Sequence, residues 1–238
     1  MSGICDGRVV IITGAGGGLG AAHARVCAAE GACVVVNDIN EAAANAVVGE
    51  IMATGGKAVV NTSDITNYED SLNAVKQAIE SYGDLHAVVN NAGINRDRMF
   101  ASMTEDEWDA IMAVHLKGHF CISSHAVHYW RGRSKEGADV DARIINTTSG
   151  AGLQGSVGQS NYAAAKAGIA ALTLNQAAEL GRYGVTANAI CPAARTGMTT
   201  AVPEMAERMK KPDDGSFDYW APENVSSVIA YLVSEQSS

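Results

Sequence analysis

Runs of β-branched and other apolar residues recur along the chain, each followed by a stretch in which alanines and polar residues alternate at helical spacing. RVVIITG (8–14), CVVVND (33–38), KAVVNTSD (57–64), HAVVNNAG (86–93), ARIINTTS (142–149) and VTANAICP (185–192) predict strands. Helices are predicted over about 19–30, 40–53, 67–82 and 160–181, from near Thr104, and after Pro222. At Thr104 the run T-E-D-E supplies an N-cap hydroxyl and acidic first-turn residues. The strands are apolar on both sides without alternation, so they must be covered on both faces. The series therefore predicts one α/β domain over 1–238, a doubly wound parallel sheet with helices on both faces.

Two segments break that rhythm. RGRSKEGADVDAR (131–143) is polar and glycine-containing, and reads as an exposed excursion between helix and strand. TGMTTAVPEMAERMKKPDDGS (196–216) mixes methionines, charges and prolines just past the sixth strand. Ligands of doubly wound sheets sit beyond the carboxyl ends of the strands, which makes this segment a candidate lid, with an ordinary surface loop-helix as the other reading.

Composition narrows the function classes. Apolar residues make up 47% and charged residues 18%, an ordinary globular balance. A formal charge of −9 argues against a nucleic-acid partner, which needs a basic face. No apolar run is long enough to span a membrane, and MSGICDGR lacks the apolar core of a signal peptide. Cys5, Cys27, Cys33, Cys121 and Cys191 are odd in number and form no C-x-x-C pair, which suggests reduced thiols and a cytoplasmic location. The six histidines show no metal spacing, so no metal is expected.

IITGAGGGLGAAHA (11–24) links the first strand to the first helix. Glycines there permit a tight turn and let backbone N–H groups and the helix N-terminus approach a pyrophosphate. Asp38 ends the second strand, where a carboxylate accepts from a ribose 2′-hydroxyl and repels a 2′-phosphate, favouring NAD; capping of the next helix is its other reading. The spacing Thr13, Gly14, Gly18, Gly20 resembles the short-chain dehydrogenase/reductases, and the resemblance runs from about Gly7 to the last helix. It implies a single Rossmann-type domain in which Gly14, Gly18, Leu19 and Gly20 meet the cofactor. NNAG (90–93) is similar to the family's strand-four motif, implying that Asn91, Ala92 and Gly93 line the adenosine side, with Asp64 and Ile65 near the adenine ring.

Within SNYAAAKAGIAAL (160–172), Tyr162 and Lys166 stand four apart on one helix face. Such a pair is often only an amphipathic edge with the lysine reaching for water. Here it matches the family's Y-x-x-x-K pair, and Ser149 lies thirteen residues before the tyrosine, where the family keeps its serine. A neighbouring ammonium is expected to lower the phenol's pKa, so that it removes a proton when an alcohol is oxidised. Ser149 would hold the substrate oxygen, and the resemblance implies that Lys166 also holds the nicotinamide ribose.

Three departures accompany the resemblance. His115, in AVHLKGHF, stands where the family has an asparagine supporting a proton relay; it either relays through its two ring nitrogens or bonds a backbone carbonyl. Cys191-Pro192-Ala193-Ala194-Arg195-Thr196 replaces the usual Pro-Gly, with Pro192 as a cofactor contact and Thr196 as the nicotinamide carboxamide contact. The family's last strand, with its T-G and D-G-G segment, is absent from the sequence, which ends SEQSS. The histidine and the run SGAGLQGSVGQSNYAAAKAG make the chain look most like the hydroxyacyl-CoA dehydrogenase part of peroxisomal multifunctional enzymes and their actinobacterial single-domain relatives. The expected activity is NAD-dependent interconversion of a secondary alcohol and a ketone, on a 3-hydroxyacyl-CoA or a hydroxysteroid. The alternatives are an NADPH-dependent 3-oxoacyl thioester reductase and a non-catalytic NAD-binding scaffold. Arg195, Arg208, Lys210 and Lys211 are candidates for CoA phosphates, and Met198, Val202, Met205 and Met209 for an apolar substrate; helix-surface charges and ordinary packing are the competing readings. The resemblance also implies a homotetramer or homodimer, formed through the two long helices after strands four and five.

Overall fold

All five residues of β1 (Val9–Thr13) are buried, as are all but the first of β2 (Cys33–Asn37). In the computed structural model, which describes residues 3–237, these strands join β3 (Lys57–Asn61), β4 (Ala87–Asn90), β5 (Ala142–Thr147) and β6 (Val185–Ile190). The sheet has the order β3-β2-β1-β4-β5-β6 and every pairing is parallel. One face carries α1 (Gly18–Ala29), α2 (Glu41–Ala53) and a C-terminal helix over Pro222–Val233, packed as Cys27, Val47, Ile51 and Ile229 against Val10, Ile12, Val34 and Val36. On the other face α3 (Tyr68–Tyr82) and a helix over Gly118–Lys135 bring Val75, Ala78, Ile122 and Trp130 onto Val9, Ile11, Val35 and Ile144. The single doubly wound sheet expected from the apolar runs is thus the fold observed.

The first predicted cap is present in full. Thr104 accepts from the amide of Glu107 at 3.2 Å and its own amide donates to the Glu107 carboxylate at 3.0 Å, opening α4 (Glu105–Ile111). The chain then widens into a π-helical turn, Met112–Lys117, before α5 (Gly118–Lys135). That turn was not legible in the sequence, and it carries His115. Widened turns of this kind concentrate at functional sites because they redirect one side chain without ending the helix.

One expectation needs correcting. The predicted exposed excursion at 131–143 is much shorter: α5 continues to Lys135, and Arg143 is a buried residue of β5. Arg143 is tolerated inside because it shares the Asp141 carboxylate with Arg8, itself buried and 2.9 Å from Asp141. After β5 come α6 (Gly150–Gln154) and α7 (Ser160–Leu180), and the segment after β6 holds α8 (Gly197–Thr200) and α9 (Pro203–Arg208) before α10 (Pro222–Val233). The helices α6, α8 and α9 are too short for periodicity to reveal.

At the carboxyl ends of the strands the sheet turns polar on its α3/α5 face. Asn37 is in register with Thr13 and Asn61, and Asn90 with Asn146. Asn37 donates to Asn61 at 2.8 Å, and Asn61 to Gln77 at 2.8 Å. Asn90 donates to Asn146 at 2.9 Å and Ser123 at 2.8 Å, while Asn146 donates to Thr173 and Gln176. These buried amides are bonded strand to strand and strand to helix, giving a fixed polar floor beneath the crevice described next.

Candidate active site

The strand order reverses between β1 and β4, and there the ends of the two strands stand apart. Asn91 ties them together: its side chain donates to the Thr13 carbonyl at 3.0 Å, and the amides of Asn91 and Ala92 both donate to the Thr13 hydroxyl at 3.0 Å. Gly14 turns the chain away from β1 with φ +62, and a Cβ there would lie 2.8 Å from the Ala92 Cα. The turn therefore needs a residue that tolerates positive φ and has no side chain. Gly17 precedes α1, and no side chain caps the helix, so its first-turn amides are not claimed by a protein side chain. Open glycines, uncapped donors and a helix N-terminus together fit a dinucleotide pyrophosphate.

A crevice of about 400 Å³ opens over this turn. Gly14, Gly18, Leu19, Asp38, Asn91 and Gly93 line it together with His115, Ser149, Tyr162, Lys166, Pro192 and Thr196. A neighbouring hollow of about 250 Å³ is bordered by Asp38, Asp64, Ile65, Ala92 and Gly93. Of the expected site residues only Gly20 borders neither. It is buried behind the turn, where a Cβ would meet the Gly14 carbonyl at 2.2 Å. Asp38 does not cap α2; Asn40 does, accepting from Ala43. Instead the Asp38 carboxylate accepts from the amides of Gly16 and Asn40, each at 2.9 Å, which fixes it beside the glycine turn.

The chemistry end is assembled from β5, α6, α7 and the π-helical turn. Ser149 follows β5 and caps α6 by accepting from Ala151 at 3.2 Å. Asn161 anchors the first turn of α7, donating to the carbonyls of Arg96 and Glu107 at 3.1 Å and accepting from the Tyr162 amide at 2.7 Å. Thr148 donates to the Lys166 carbonyl at 2.8 Å, fastening α7 to the end of β5. Lys166 is buried and its ammonium donates to the Thr147 carbonyl at 2.6 Å, with Nζ 5.5 Å from the Tyr162 ring centroid. Thr147, Thr148 and Thr199 were missed in the sequence. The only available signal was the hydroxyl run N-T-T-S, whose first members hold the lysine and its helix while the last faces the crevice.

Electrostatics here differ from the expectation for the pair. Burial pushes the Tyr162 phenol above its ordinary value, and the hydrogen bond from Ser149 opposes that rise. Lys166 does not hold it down, because burial has lowered the lysine itself to about 7. An amine that is half neutral near pH 7, and turned toward a carbonyl, is a weak stabiliser of a phenolate.

His115 is buried with its ring 5.1 Å from that of Tyr162 in an edge-to-face arrangement. Its Nε2 lies 2.8 Å from the Ile94 carbonyl and 3.1 Å from the Ile94 amide. The backbone-bonded reading of His115 is therefore satisfied in two ways, since Nε2 can donate to the one or accept from the other as the tautomer changes. Nδ1 is buried without a partner, against Gly93, where a Cβ would come within 2.5 Å of the ring. Four residues on, His119 is buried with neither ring nitrogen bonded.

Burial, aided by the charge of Lys166, lowers His115 to about 3, and burial lowers His23, bonded to Ser226 at 2.8 Å between α1 and α10, to about 4. Both folded values lie below the unfolded value near 6.5, so the unfolded chain takes up these protons first. The stability they contribute is complete above pH 6.5 and is lost as pH falls toward 4 and 3. Between pH 7 and pH 5 each should remove about 2 kcal/mol from the unfolding free energy. Urea titrations at the two pH values test this; equal midpoints would contradict it.

The proposed CoA contacts are also altered. Arg195 is not free: it bonds the Asp218 carboxylate through both terminal nitrogens. Lys210 pairs with Asp213 at 3.7 Å, and Arg208 lies over the Trp220 ring. Met209 is buried. Lys211 remains exposed, and Met198 borders the crevice. Among the described residues no helix is long and apolar enough to cross a membrane, and no group of three His, Cys, Asp or Glu side chains could hold a metal ion.

The sequence profile described as short chain dehydrogenase matches residues 8–207. A hydroxyacyl-CoA dehydrogenase of Mycobacterium tuberculosis, ChsB1, is 49% identical over 236 residues, covering 96% of this chain and 73% of that protein. The peroxisomal multifunctional enzyme type 2 of Mus musculus is 41% identical, over 97% of this chain and 30% of its own length. A crystal structure of a short chain dehydrogenase from Mycobacterium avium superposes with a TM-score of 0.89 at 53% identity, covering 99% of this chain and 79% of that one.

Proposed function

The chain belongs to the short-chain dehydrogenases, and from that membership we propose that it oxidises the secondary hydroxyl of a 3-hydroxyacyl-CoA, or of a hydroxysteroid, to the ketone with NAD. The observation that carries this reading is the convergence of Ser149, Tyr162 and Lys166 on one crevice that Asp38 and the glycine turn also line. The thioester is suggested by the names of the Mycobacterium tuberculosis and mouse relatives. Exposed Val202, Phe217 and Tyr219, in the segment that continues from the crevice wall at Thr199, would suit an apolar acyl chain or ring system.

Bound nicotinamide would supply the acceptor for the hydride leaving the carbinol carbon. The chain's own part is proton handling and orientation. Tyr162, as phenolate, takes the hydroxyl proton, while the Ser149 hydroxyl donates to the substrate oxygen and aligns it. Lys166, fixed by Thr147, holds a donor beside the ribose position. His115 is proposed to take part in passing that proton onward through Nδ1, which no protein group occupies, because Nε2 is held by the Ile94 backbone. Turnover of His115→Ala should fall several-fold between pH 6 and 10; wild-type rates throughout would remove His115 from the path.

Asp38 favours NAD through its fixed carboxylate, against an NADPH-dependent 3-oxoacyl thioester reductase. Screening NAD and NADP reduction with 3-hydroxyacyl-CoA esters, hydroxysteroids and simple secondary alcohols tests the proposal. The expected result is turnover with NAD, and an NAD-to-NADP preference that falls about 100-fold in Asp38→Ser. Firm NAD binding with no alcohol oxidised would favour the non-catalytic scaffold. An apolar groove formed by Met112, Ala113, Leu116, Phe120 and Leu172, between the two long helices, suits a second copy, so the working assembly is proposed to be a homodimer or homotetramer. Five free thiols are consistent with a cytoplasmic enzyme.

A further inference from the structure

The segment between β6 and α10 runs from residue 191 to residue 221, and its first part, Ala194 and Thr196 to Thr199, borders the crevice. Its ends meet directly, the Arg195 amide donating to the Trp220 carbonyl at 2.7 Å. The same residue then reaches inward with its side chain. One guanidinium nitrogen donates to the Met209 carbonyl at 2.8 Å and to the Asp218 carboxylate at 3.0 Å, and its neighbour donates to the other carboxylate oxygen. Start, middle and end of the segment therefore converge on one arginine. Among the described residues no other side chain bonds both the middle and the end.

The partners are themselves held. Asp218 accepts from the Trp220 amide at 3.2 Å, and Asn224, in the first turn of α10, donates to the carbonyls of Asp218 and Tyr219. Met209 is buried, so the carbonyl that Arg195 reaches belongs to the part of the segment that packs inward. The pair is partly shielded, with side chains 24% and 16% exposed, and both carboxylate oxygens are engaged in a fork geometry that a lysine could not reproduce. Next to Arg195, Thr196 accepts from the Thr199 amide and Thr199 donates to the Ala194 carbonyl. Thr196, Met198 and Thr199 thus enter the crevice wall directly from the clamped end.

We infer that Arg195 and Asp218 form a latch that closes the 196–217 segment into a single preset lid, and that Arg195 is a positioning residue for substrate and not a ligand of it. The role rests on the dehydrogenase reading only for what the lid covers; the closure itself does not depend on it. Without the latch the three wall residues would have to be ordered by the incoming substrate, so binding suffers while the proton-transfer groups on β5 and α7 are left in place.

The test uses the full chain with Arg195→Ala, Asp218→Asn and the exchanged pair Arg195→Asp with Asp218→Arg. With a 3-hydroxyacyl-CoA, each single variant should raise KM about tenfold while changing kcat less than about threefold, and the exchanged pair should recover part of the loss. A merely structural arginine would instead lower kcat and the melting temperature together and leave KM alone, which would overturn the inference. In the absence of any substrate, a glutamate-specific protease should cut at Glu204 and Glu207 about tenfold faster in the single variants than in wild type. Unchanged cleavage would also overturn it. Faster cleavage with no turnover of any alcohol would leave the latch standing and remove the dehydrogenase reading instead.

Discussion

Tyr162→Phe should lower kcat for alcohol oxidation by about 1,000-fold while leaving cofactor affinity within a few-fold of wild type. The substitution removes one oxygen and keeps the ring that packs edge-to-face with His115, so the crevice should keep its shape. What disappears is the phenolic oxygen proposed to accept the hydroxyl proton. Ser149 is a hydroxyl already bonded by the Ala151 amide, Lys166 is turned toward Thr147, and His115 has its Nε2 occupied by Ile94. Because burial raises the phenol in the free protein, wild-type kcat/KM for oxidation should climb with pH from neutrality into the alkaline range. That limb should vanish in the phenylalanine variant. A kcat within tenfold of wild type would show that another base serves the reaction, and the assignment of Tyr162 would fail.

Lys166→Met should abolish turnover and make the protein harder to unfold. The folded value near 7 lies below the unfolded value near 10.5, so between these limits the unfolded chain binds the extra proton. Stability therefore rises with pH from about 7 to 10.5 and carries the full penalty below 7. A depression of this size corresponds to a penalty on the order of 4 kcal/mol. Methionine fills much of the same volume without a charge to desolvate, although it leaves the Thr147 carbonyl without its donor, worth roughly 1 kcal/mol. At pH 6 the variant should gain roughly 2–4 kcal/mol by denaturant unfolding, with the gain shrinking as pH approaches 10. Lower stability than wild type at pH 6 would mean that the buried amine is held by far better contacts than a single carbonyl. Ser149→Ala should behave more simply, losing about 100-fold in kcat with little change in stability, since its cap bond lies on a five-residue helix.

Much of this molecule is written locally. Six apolar runs, a glycine turn between the first strand and helix, a capping box at Thr104, and a tyrosine and lysine one helical turn apart are all short-range patterns. Spacing alone put Tyr162 and Lys166 on one helix face; it was the resemblance to the short-chain dehydrogenases that implied Ser149 beside them. The glycine turn was legible because positive φ at Gly14 and close approach to Ala92 leave few alternatives to glycine.

Other features depend on partners far apart in the chain. Arg143 fell in both the predicted strand 142–149 and the predicted excursion 131–143, and what buries it is the Asp141 carboxylate it shares with Arg8. Arg195 looked like a phosphate ligand until the chain folded back to bring Asp218 against it. The protonation of Tyr162 and Lys166 was misjudged for the same reason: sequence spacing puts an amine near a phenol, but says nothing of how much water each retains. Residue order along the chain determined which elements form and which faces they present, since those follow from periods of two and 3.6 residues acting over a few neighbours. Only the tertiary structure decided the charge states, the π-helical turn at His115 and the closure of the lid, because desolvation and ion pairing are set by atoms that the sequence separates and the fold brings within a few ångströms.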